Sequence, residues 1–194
     1  MLTVEWAGRK TPGVSRRSRF AASLVVAVAL SGMAGCQEEK PTAAAVVATS
    51  AQFGGTDLAW IEITIAMDEQ LEPLLALVPQ RSRDAKVQAL GKRVQAFTDA
   101  ELSELRALHD EAGLPAKNPH EGMPMPGVVS ADTVKKAAAL SGAAFDKLAL
   151  EQISGHLKQG QNLAESEEKA GTEQRTRALA SDVIETRTEA LKAL

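Results

Sequence analysis

The sequence predicts an all-α fold with four long helices, and three observations support this prediction. The 194-residue chain is 44% hydrophobic, which is enough for one domain with a buried core, yet only 3% of its residues are aromatic and tyrosine is absent. Alanine, leucine, glutamate, lysine and arginine are abundant, and these residues favour helices. Apolar residues also recur at spacings of three and four through most of the chain after residue 55, as they do on one face of a helix.

The first half of this region predicts two amphipathic helices. The first covers residues 56–78, and its apolar stripe consists of Trp60, Ile63, Met67, Leu71, Leu74 and Val78. The second begins with Asp84 as its N-cap and ends at Gly113-Leu114-Pro115. Its stripe consists of Val87, Leu90, Val94, Phe97, Leu105 and Leu108, and Glu101 falls on the same face.

The second half predicts a loop followed by further helices. Residues 113–130 contain four prolines and therefore cannot be helical throughout. Ser130 or Ser141 caps the next helix, which runs to Gly171, and a last helix starts at about Glu173. The inward residues of the third helix are Phe145, Ala149, Gln152, His156, Gly160 and Leu163; those of the last helix are Leu179, Val183, Ala190 and Leu194.

The two halves resemble each other when one is shifted by about 89 residues, as an internal duplication would require. At this shift Leu74 aligns with Leu163, Val94 aligns with Val183, and Met67 matches His156. Each half then forms a helical hairpin that cannot bury its apolar face alone. Pairing the hairpins gives an up-down four-helix bundle with residues 113–130 as the longer crossover.

The N-terminus predicts an exported lipoprotein. Residues 1–35 contain a basic cluster, a short apolar run and small residues, which is the pattern of a cleaved signal peptide rather than of a membrane-spanning helix. The one cysteine of the chain, Cys36, follows Ala34-Gly35, which resembles the bacterial lipobox. We therefore expect cleavage before Cys36, lipidation of its side chain, and attachment to the extracytoplasmic face of the cell membrane. The alternative is a chance cysteine after an ordinary signal sequence.

Residues 36–55 show no amphipathic period and predict a flexible tether, so that residues 56–194 form the functional domain. Residues 36–194 carry 17 basic and 24 acidic side chains. An acidic domain lacks the clustered positive charge with which proteins neutralise phosphates, and this excludes a nucleic-acid-binding class.

The crossover loop contains the side chains best suited to a soft metal ion. His120, Met123 and Met125 lie within six residues of a segment shaped by proline and glycine. Thioethers favour Cu(I), and imidazole suits copper, zinc or nickel. This spacing predicts a copper site, whereas the structural alternative is a polar loop whose methionines pack onto the end of the bundle.

The chain is similar to the DUF305 family. Phe145-Asp146, Ile153 and His156 resemble the family's Phe-Asp…Met-Ile-x-His-His pattern, and Glu101-Leu102 resembles the Glu-Ile of its second helix. The resemblance implies an exported, ferritin-like helical bundle, and some members of the family bind copper. The paired histidines of the family are replaced here by Met67-Asp68 and His156-Leu157.

Met67 and His156 form a second candidate metal site. Their matching positions in the two halves place them near the centre of a symmetric bundle, beside Asp68 and Glu101, where ferritin-like bundles hold metals. The alternative is structural, because methionine is a common core residue and a buried histidine is usually satisfied by a neighbouring carboxylate or carbonyl group.

The sequence predicts a binding protein and not an enzyme. It contains no Glu-x-x-His pair for a di-iron centre, no nucleophile elbow and no glycine-rich phosphate loop. We expect a lipid-anchored extracytoplasmic protein whose ligand is copper. The competing expectation is a degenerate bundle without metal that serves as a protein-interaction or structural module of the envelope.

Overall fold

The computed structural model describes residues 52–194, and within them it contains five α-helices and no β-strand. The helices are α1 (Gly55–Arg81), α2 (Ala85–Ala112), α3 (Ala131–Ala138), α4 (Gly142–Ala170) and α5 (Gln174–Leu191). This confirms the all-α prediction. The predicted signal peptide, Cys36 and most of the predicted tether lie outside the described residues.

The ends of α2 follow the local signals in the sequence. The Asp84 carboxylate accepts hydrogen bonds from the backbone N–H groups of Lys86 and Val87, at 2.7 and 3.3 Å. At the other end Gly113 has a φ of 67°, a left-handed conformation that glycine adopts without steric cost. The chain then leaves the helix toward Leu114 and Pro115, as predicted.

Both candidate serines begin a helix. The Ser130 hydroxyl accepts a hydrogen bond from the Thr133 N–H at 3.2 Å and caps the short helix α3, while Ser141 immediately precedes α4. The Glu173 carboxylate caps α5 by accepting from the Thr176 N–H at 2.6 Å. The prediction that Leu194 faces inward is wrong: α5 ends at Leu191 and the Leu194 side chain is 49% exposed.

The four long helices pack against one another. Helix α1 packs against α2 and α4, α5 packs against α4 and α2, and α3 lies on α1 and α4. Two apolar clusters form the core. The first apolar cluster includes Leu71, Leu74, Leu75, Val78, Val87, Leu90, Val94, Phe145, Ala149, Ile153, Leu157 and Ala190. The second apolar cluster includes Phe53, Trp60, Ile61, Ile65, Leu102, Leu105, Leu108, Ala164, Ala180 and Val183.

The folded part of the chain begins before residue 56. Phe53 is buried in the second apolar cluster, and the Gln52 side chain donates a hydrogen bond to the Glu173 carboxylate at 2.9 Å. These contacts fix the chain a few residues before the start of the predicted domain. None of the helices formed by residues 52–194 combines the length and apolar character needed to cross a membrane.

The start of α1 is joined to the α4–α5 connection through the buried Asp57 carboxylate. Its oxygens accept hydrogen bonds from the backbone N–H groups of Thr172 and Glu173 at 2.9 and 3.1 Å, from the Thr172 hydroxyl at 2.8 Å, and from the Gly54 N–H at 2.6 Å. Burial disfavours the charged form, yet these bonds and one from Glu167 outweigh it and lower the pKa of Asp57 to about 2.

Glu167 lies beside Asp57 with its side chain fully buried. Burial, followed by the hydrogen bond to Asp57 and the negative charge of that carboxylate, raises the pKa of Glu167 to about 8. At neutral pH the pair therefore carries one proton, held on Glu167. This proton allows two carboxyl groups to pack together at the end of the bundle.

Candidate functional site

A buried ionic cluster lies between the two apolar clusters, and each long helix contributes one residue to it. The cluster consists of Asp68 from α1, Glu101 from α2, His156 from α4 and Arg187 from α5. All four side chains are at most 5% exposed. Charged side chains are almost never buried unless they are paired, so this cluster is the most unusual feature of the core.

Arg187 lies at the centre of the cluster. Its Nη1 atom lies 2.6 Å from Glu101 Oε2, and its Nη2 atom lies 3.6 Å from Asp68 Oδ1. The His156 Nε2 atom lies 3.1 Å from the same Asp68 oxygen. The guanidinium thus connects the two carboxyl groups, and Asp68 connects Arg187 to the imidazole.

The neighbouring residues leave room for the guanidinium. The Arg187 Cζ atom lies 4.7 Å from the centre of the Phe97 ring, a cation–π distance. On the α4 side, Gly160 is buried, and a Cβ atom added there would lie 3.4 Å from Arg187 Nε. An alanine at position 160 would therefore place its Cβ atom in van der Waals contact with the guanidinium.

Burial determines the protonation states of the cluster. It raises the pKa of Asp68 to about 7 and that of Glu101 to about 8, although Arg187 acts in the opposite direction on both. Burial and the positive charge of Arg187 lower the pKa of His156 to about 3. At neutral pH the imidazole is therefore neutral, and the two carboxyl groups together retain about one proton.

Several polar atoms in the cluster are buried without a hydrogen-bond partner among the described residues. They include both Asp68 oxygens, Glu101 Oε1, both His156 nitrogens, and Arg187 Nε and Nη2. The contacts of Arg187 and His156 with Asp68 are thus close in distance but not aligned as hydrogen bonds. Within residues 52–194, no three His, Cys, Asp or Glu side chains are grouped so as to hold a metal ion.

Met67 and His156, the predicted core site, are both buried, at 1% exposure each. His156 contacts Asp68, as expected for a core histidine beside a carboxylate, and Glu101 reaches the cluster through Arg187. Arg187 is absent from the predicted site residues, although a signal was available. It lies between Val183 and Ala190 at helical spacing, on the inward stripe predicted for the last helix.

The crossover loop from Gly113 to Ser130 consists of successive turns. The Met123 N–H donates to the His120 carbonyl at 3.1 Å, and the Val128 N–H donates to the Met125 carbonyl at 3.2 Å. Gly122 and Gly127 have φ values of 70° and 78°, which favour glycine. The loop thus has a defined shape set by its glycines and prolines.

Two of the three predicted loop ligands line one cavity. Met123 and Met125, together with Gln70 of α1, border an open cavity of about 550 Å³. Met123 is 41% exposed, which is unusual for a large apolar side chain among residues 52–194. Met125 is half-buried.

His120 does not line this cavity. Its backbone N–H donates to the Asn118 side chain at 2.8 Å, and the Asn118 amide in turn donates to the Glu62 carbonyl of α1 at 2.7 Å. The His120 Nδ1 atom is buried and has no hydrogen-bond partner among the described residues. The turn closed by the Met123 N–H nevertheless keeps the Cα atoms of His120 and Met123 within about 7 Å of each other.

Comparison with known proteins agrees with this architecture. A family described as "Domain of unknown function (DUF305)" matches residues 59–194. The solved structure of a predicted secreted DUF305 protein from Streptomyces coelicolor aligns with a TM-score of 0.64 at 19% identity, covering 71% of this chain and 88% of that one. A DUF305 fragment from Deinococcus radiodurans aligns with a TM-score of 0.64 at 15% identity, covering 72% and 93%.

No curated protein matches the chain significantly. At identities below 20%, the structural likeness shows the fold and not a shared activity. The family match covers most of the chain, including every long helix from early α1 to the C-terminus. The chain belongs to the DUF305 family.

Proposed function

We propose that this protein is a lipid-anchored, extracytoplasmic copper-binding protein that holds Cu(I) in the crossover loop through Met123 and Met125, with His120 as a third ligand. The observation that carries the proposal is the position of the two methionines. Both border the same open cavity, and one of them is substantially exposed. No catalytic step is part of this proposal.

The exposure of Met123 argues for a binding role. A methionine that serves packing is expected to be buried, as Met67 is at 1% exposure, whereas Met123 is 41% exposed. Thioether sulfur is a soft ligand that favours Cu(I) over harder cations. A pair of thioethers bordering an open cavity is therefore better explained by a soft ligand than by core packing.

The shape of the loop supports preorganised binding. Gly127 approaches α4 so closely that an added Cβ atom would lie 2.9 Å from the Gly155 carbonyl oxygen. Asn118 ties the other part of the loop to α1. Because both sides of the methionine segment are attached to the bundle, little conformational entropy remains to be lost when an ion binds.

The location and the fold complete the proposal. The signal-like residues 1–35 and Cys36 support export and lipid attachment, and one structural relative is a predicted secreted protein.

We also propose that the domain is a ferritin-like up-down bundle formed by two repeated hairpins. In support, Met67 and Thr98 match His156 and Arg187 at the 89-residue shift, and all four residues are buried.

A Cu(I) competition titration against a chromophoric chelator tests the copper site. The wild-type chain is expected to withdraw one equivalent of Cu(I), and a variant with His120→Ala, Met123→Leu and Met125→Leu is expected to lose this binding. Met67→Leu is the matched control, because it removes a thioether from the core and should leave binding unchanged. Equal binding by the wild type and the triple variant would refute the loop site.

The lipid anchor requires a separate test. Mass spectrometry of the membrane fraction is expected to show an acylated N-terminus at Cys36. An unmodified soluble form that starts at another residue would refute the anchor and leave the copper proposal intact.

A second candidate function is a metal-free bundle that serves as an interaction or structural module of the envelope. The observation in its favour is the buried ionic cluster, in which Arg187 supplies the positive charge between the two carboxyl groups. Wild-type protein that withdraws no Cu(I) in the titration above would favour this function over the first.

A further inference from the structure

We infer that Arg187 acts as an internal cation that fills a latent divalent-metal site, whose ligands are Asp68, Glu101 and His156. In the native chain this core site is closed to metals, and removal of the guanidinium opens it to a borderline divalent ion such as Co²⁺ or Zn²⁺. This inference concerns the core and is independent of the copper site proposed in the loop.

The first support is the set of side chains and their placement. Two carboxylates and one imidazole come from three different helices and meet at the same level of the core. Carboxylates and imidazoles projecting inward from facing helices are the means by which helical bundles hold metal ions. The same three groups match the ligand types that Zn²⁺ and Co²⁺ accept.

The second support is the position of Arg187 within this set. Its Nη1 and Nη2 atoms lie 2.6 Å from Glu101 and 3.6 Å from Asp68, so the guanidinium supplies a positive charge to both carboxyl groups. A metal ion there would meet a fixed positive charge that cannot be deprotonated. The native chain is therefore expected to exclude metals from the core.

The third support is the set of unpartnered atoms. Within the described residues, both Asp68 oxygens, Glu101 Oε1 and both His156 nitrogens are buried without a hydrogen bond. If Arg187 satisfied every polar group of the cluster, few such atoms would remain. The unpartnered oxygens and nitrogens therefore indicate that the arginine satisfies the cluster only in part.

With Arg187 in place, Asp68, Glu101 and His156 are not grouped so as to hold a metal ion, as judged within residues 52–194. Arg187 contacts both carboxyl groups, and Gly160 and the Phe97 ring accommodate its side chain. Shortening Arg187 removes the charge and leaves space between the ligands. The three side chains are then free to approach one ion.

The test is a Co²⁺ titration of the full chain carrying Arg187→Ala, followed by visible absorption. Arg187→Ala is expected to gain one equivalent of bound Co²⁺ relative to the wild type, with the d–d bands of a site that contains nitrogen and oxygen ligands. The loop donors are present in both chains, so any binding by the loop cancels in the difference. Arg106→Ala, which removes an exposed arginine paired with Glu69, is the matched control and should gain none.

Adding Asp68→Asn or His156→Ala to the Arg187→Ala chain is expected to abolish the gained Co²⁺ site. If Arg187→Ala does not fold alone, recovery of its helical circular dichroism by one equivalent of Co²⁺ supports the inference. Failure to bind Co²⁺ when folded, or to refold when Co²⁺ is supplied, overturns it. A wild-type chain that binds Co²⁺ through Asp68 and His156 also overturns it.

Discussion

Replacing Glu167 with glutamine is expected to remove a loss of stability at alkaline pH. Glu167 is fully buried beside the Asp57 carboxylate, and its pKa is raised from 4.5 to about 8. Glutamine has the same shape, and its amide can donate to Asp57 as the protonated carboxyl does. The substitution therefore keeps the packing and the hydrogen bond but removes the ionisation.

The expected change in the free energy of unfolding follows from the direction and the size of the pKa shift of Glu167. A carboxyl whose pKa is raised in the folded state contributes stability below its unfolded pKa, here 4.5, and loses that contribution as the pH rises through about 8. Each tenfold change in proton affinity corresponds to about 1.4 kcal/mol, which gives an upper bound of about 5 kcal/mol for the whole loss. We expect on the order of 3 kcal/mol, a large part of a typical domain stability.

The assay is urea unfolding followed by circular dichroism, at about pH 5 and about pH 9. Glu167→Gln and the wild type should be nearly equally stable at the lower pH, and the variant should be more stable at the higher pH. Glu165→Gln is the matched control, because Glu165 lies on the same helix with its side chain 42% exposed. It should differ little from the wild type at either pH.

The refuting result is a difference between Glu167→Gln and the wild type that does not change with pH. Other carboxyl groups with raised pKa values, such as Asp68 and Glu101, also make the wild type less stable as the pH rises. They are present in both chains and cancel in the comparison. A constant difference would therefore mean that Glu167 is ionised in the folded protein throughout this range.

Three further predictions concern stability measured by urea unfolding. Glu101→Ala removes the partner that lies 2.6 Å from Arg187 and should cost about 3 to 5 kcal/mol, whereas a cost below about 1 kcal/mol would contradict a tightly coupled pair. Gly127→Ala should cost about 2 kcal/mol more than Gly122→Ala, because both positions have positive φ but only a Cβ at 127 meets α4; equal costs would contradict this close approach. Asp84→Ala should cost about 1 kcal/mol through loss of the α2 cap, and an unchanged midpoint would show that the cap contributes nothing.

The fold was largely predictable because its signals are local. The apolar spacing, the Asp84 cap, the Gly113 stop and the proline-containing loop each act over a few residues, and the helices begin and end close to the predicted positions. The errors lie at the ends of the domain. Phe53 is buried by a distant part of the chain, and Leu194 lies beyond the last helical turn, which periodicity alone does not reveal.

The candidate sites were less predictable because they depend on contacts between distant residues. The sequence placed His156 in the core beside Asp68 and Glu101, as a metal ligand or, alternatively, as a histidine satisfied by a neighbouring carboxylate or carbonyl. In the structure its Nε2 atom lies 3.1 Å from Asp68 Oδ1. Arg187 is different: an arginine on an apolar stripe usually extends its charged end to solvent, and burial becomes favourable only when Asp68 and Glu101 arrive from two other helices. The three loop residues are close together in sequence. Which of them borders the cavity depends on α1 and on the path of the loop, and only Met123 and Met125 do so.

The central claim, that copper binds in the loop and not in the core, is tested most directly by NMR of chains labelled with ¹³C at the methionine methyl groups. Met67 reports on the core, and Met123 and Met125 report on the loop. Addition of one equivalent of Cu(I) should shift the Met123 and Met125 signals to saturation and leave the Met67 signal in place. A shift at Met67 with unchanged loop signals, or no shift at any of the three, would contradict the account.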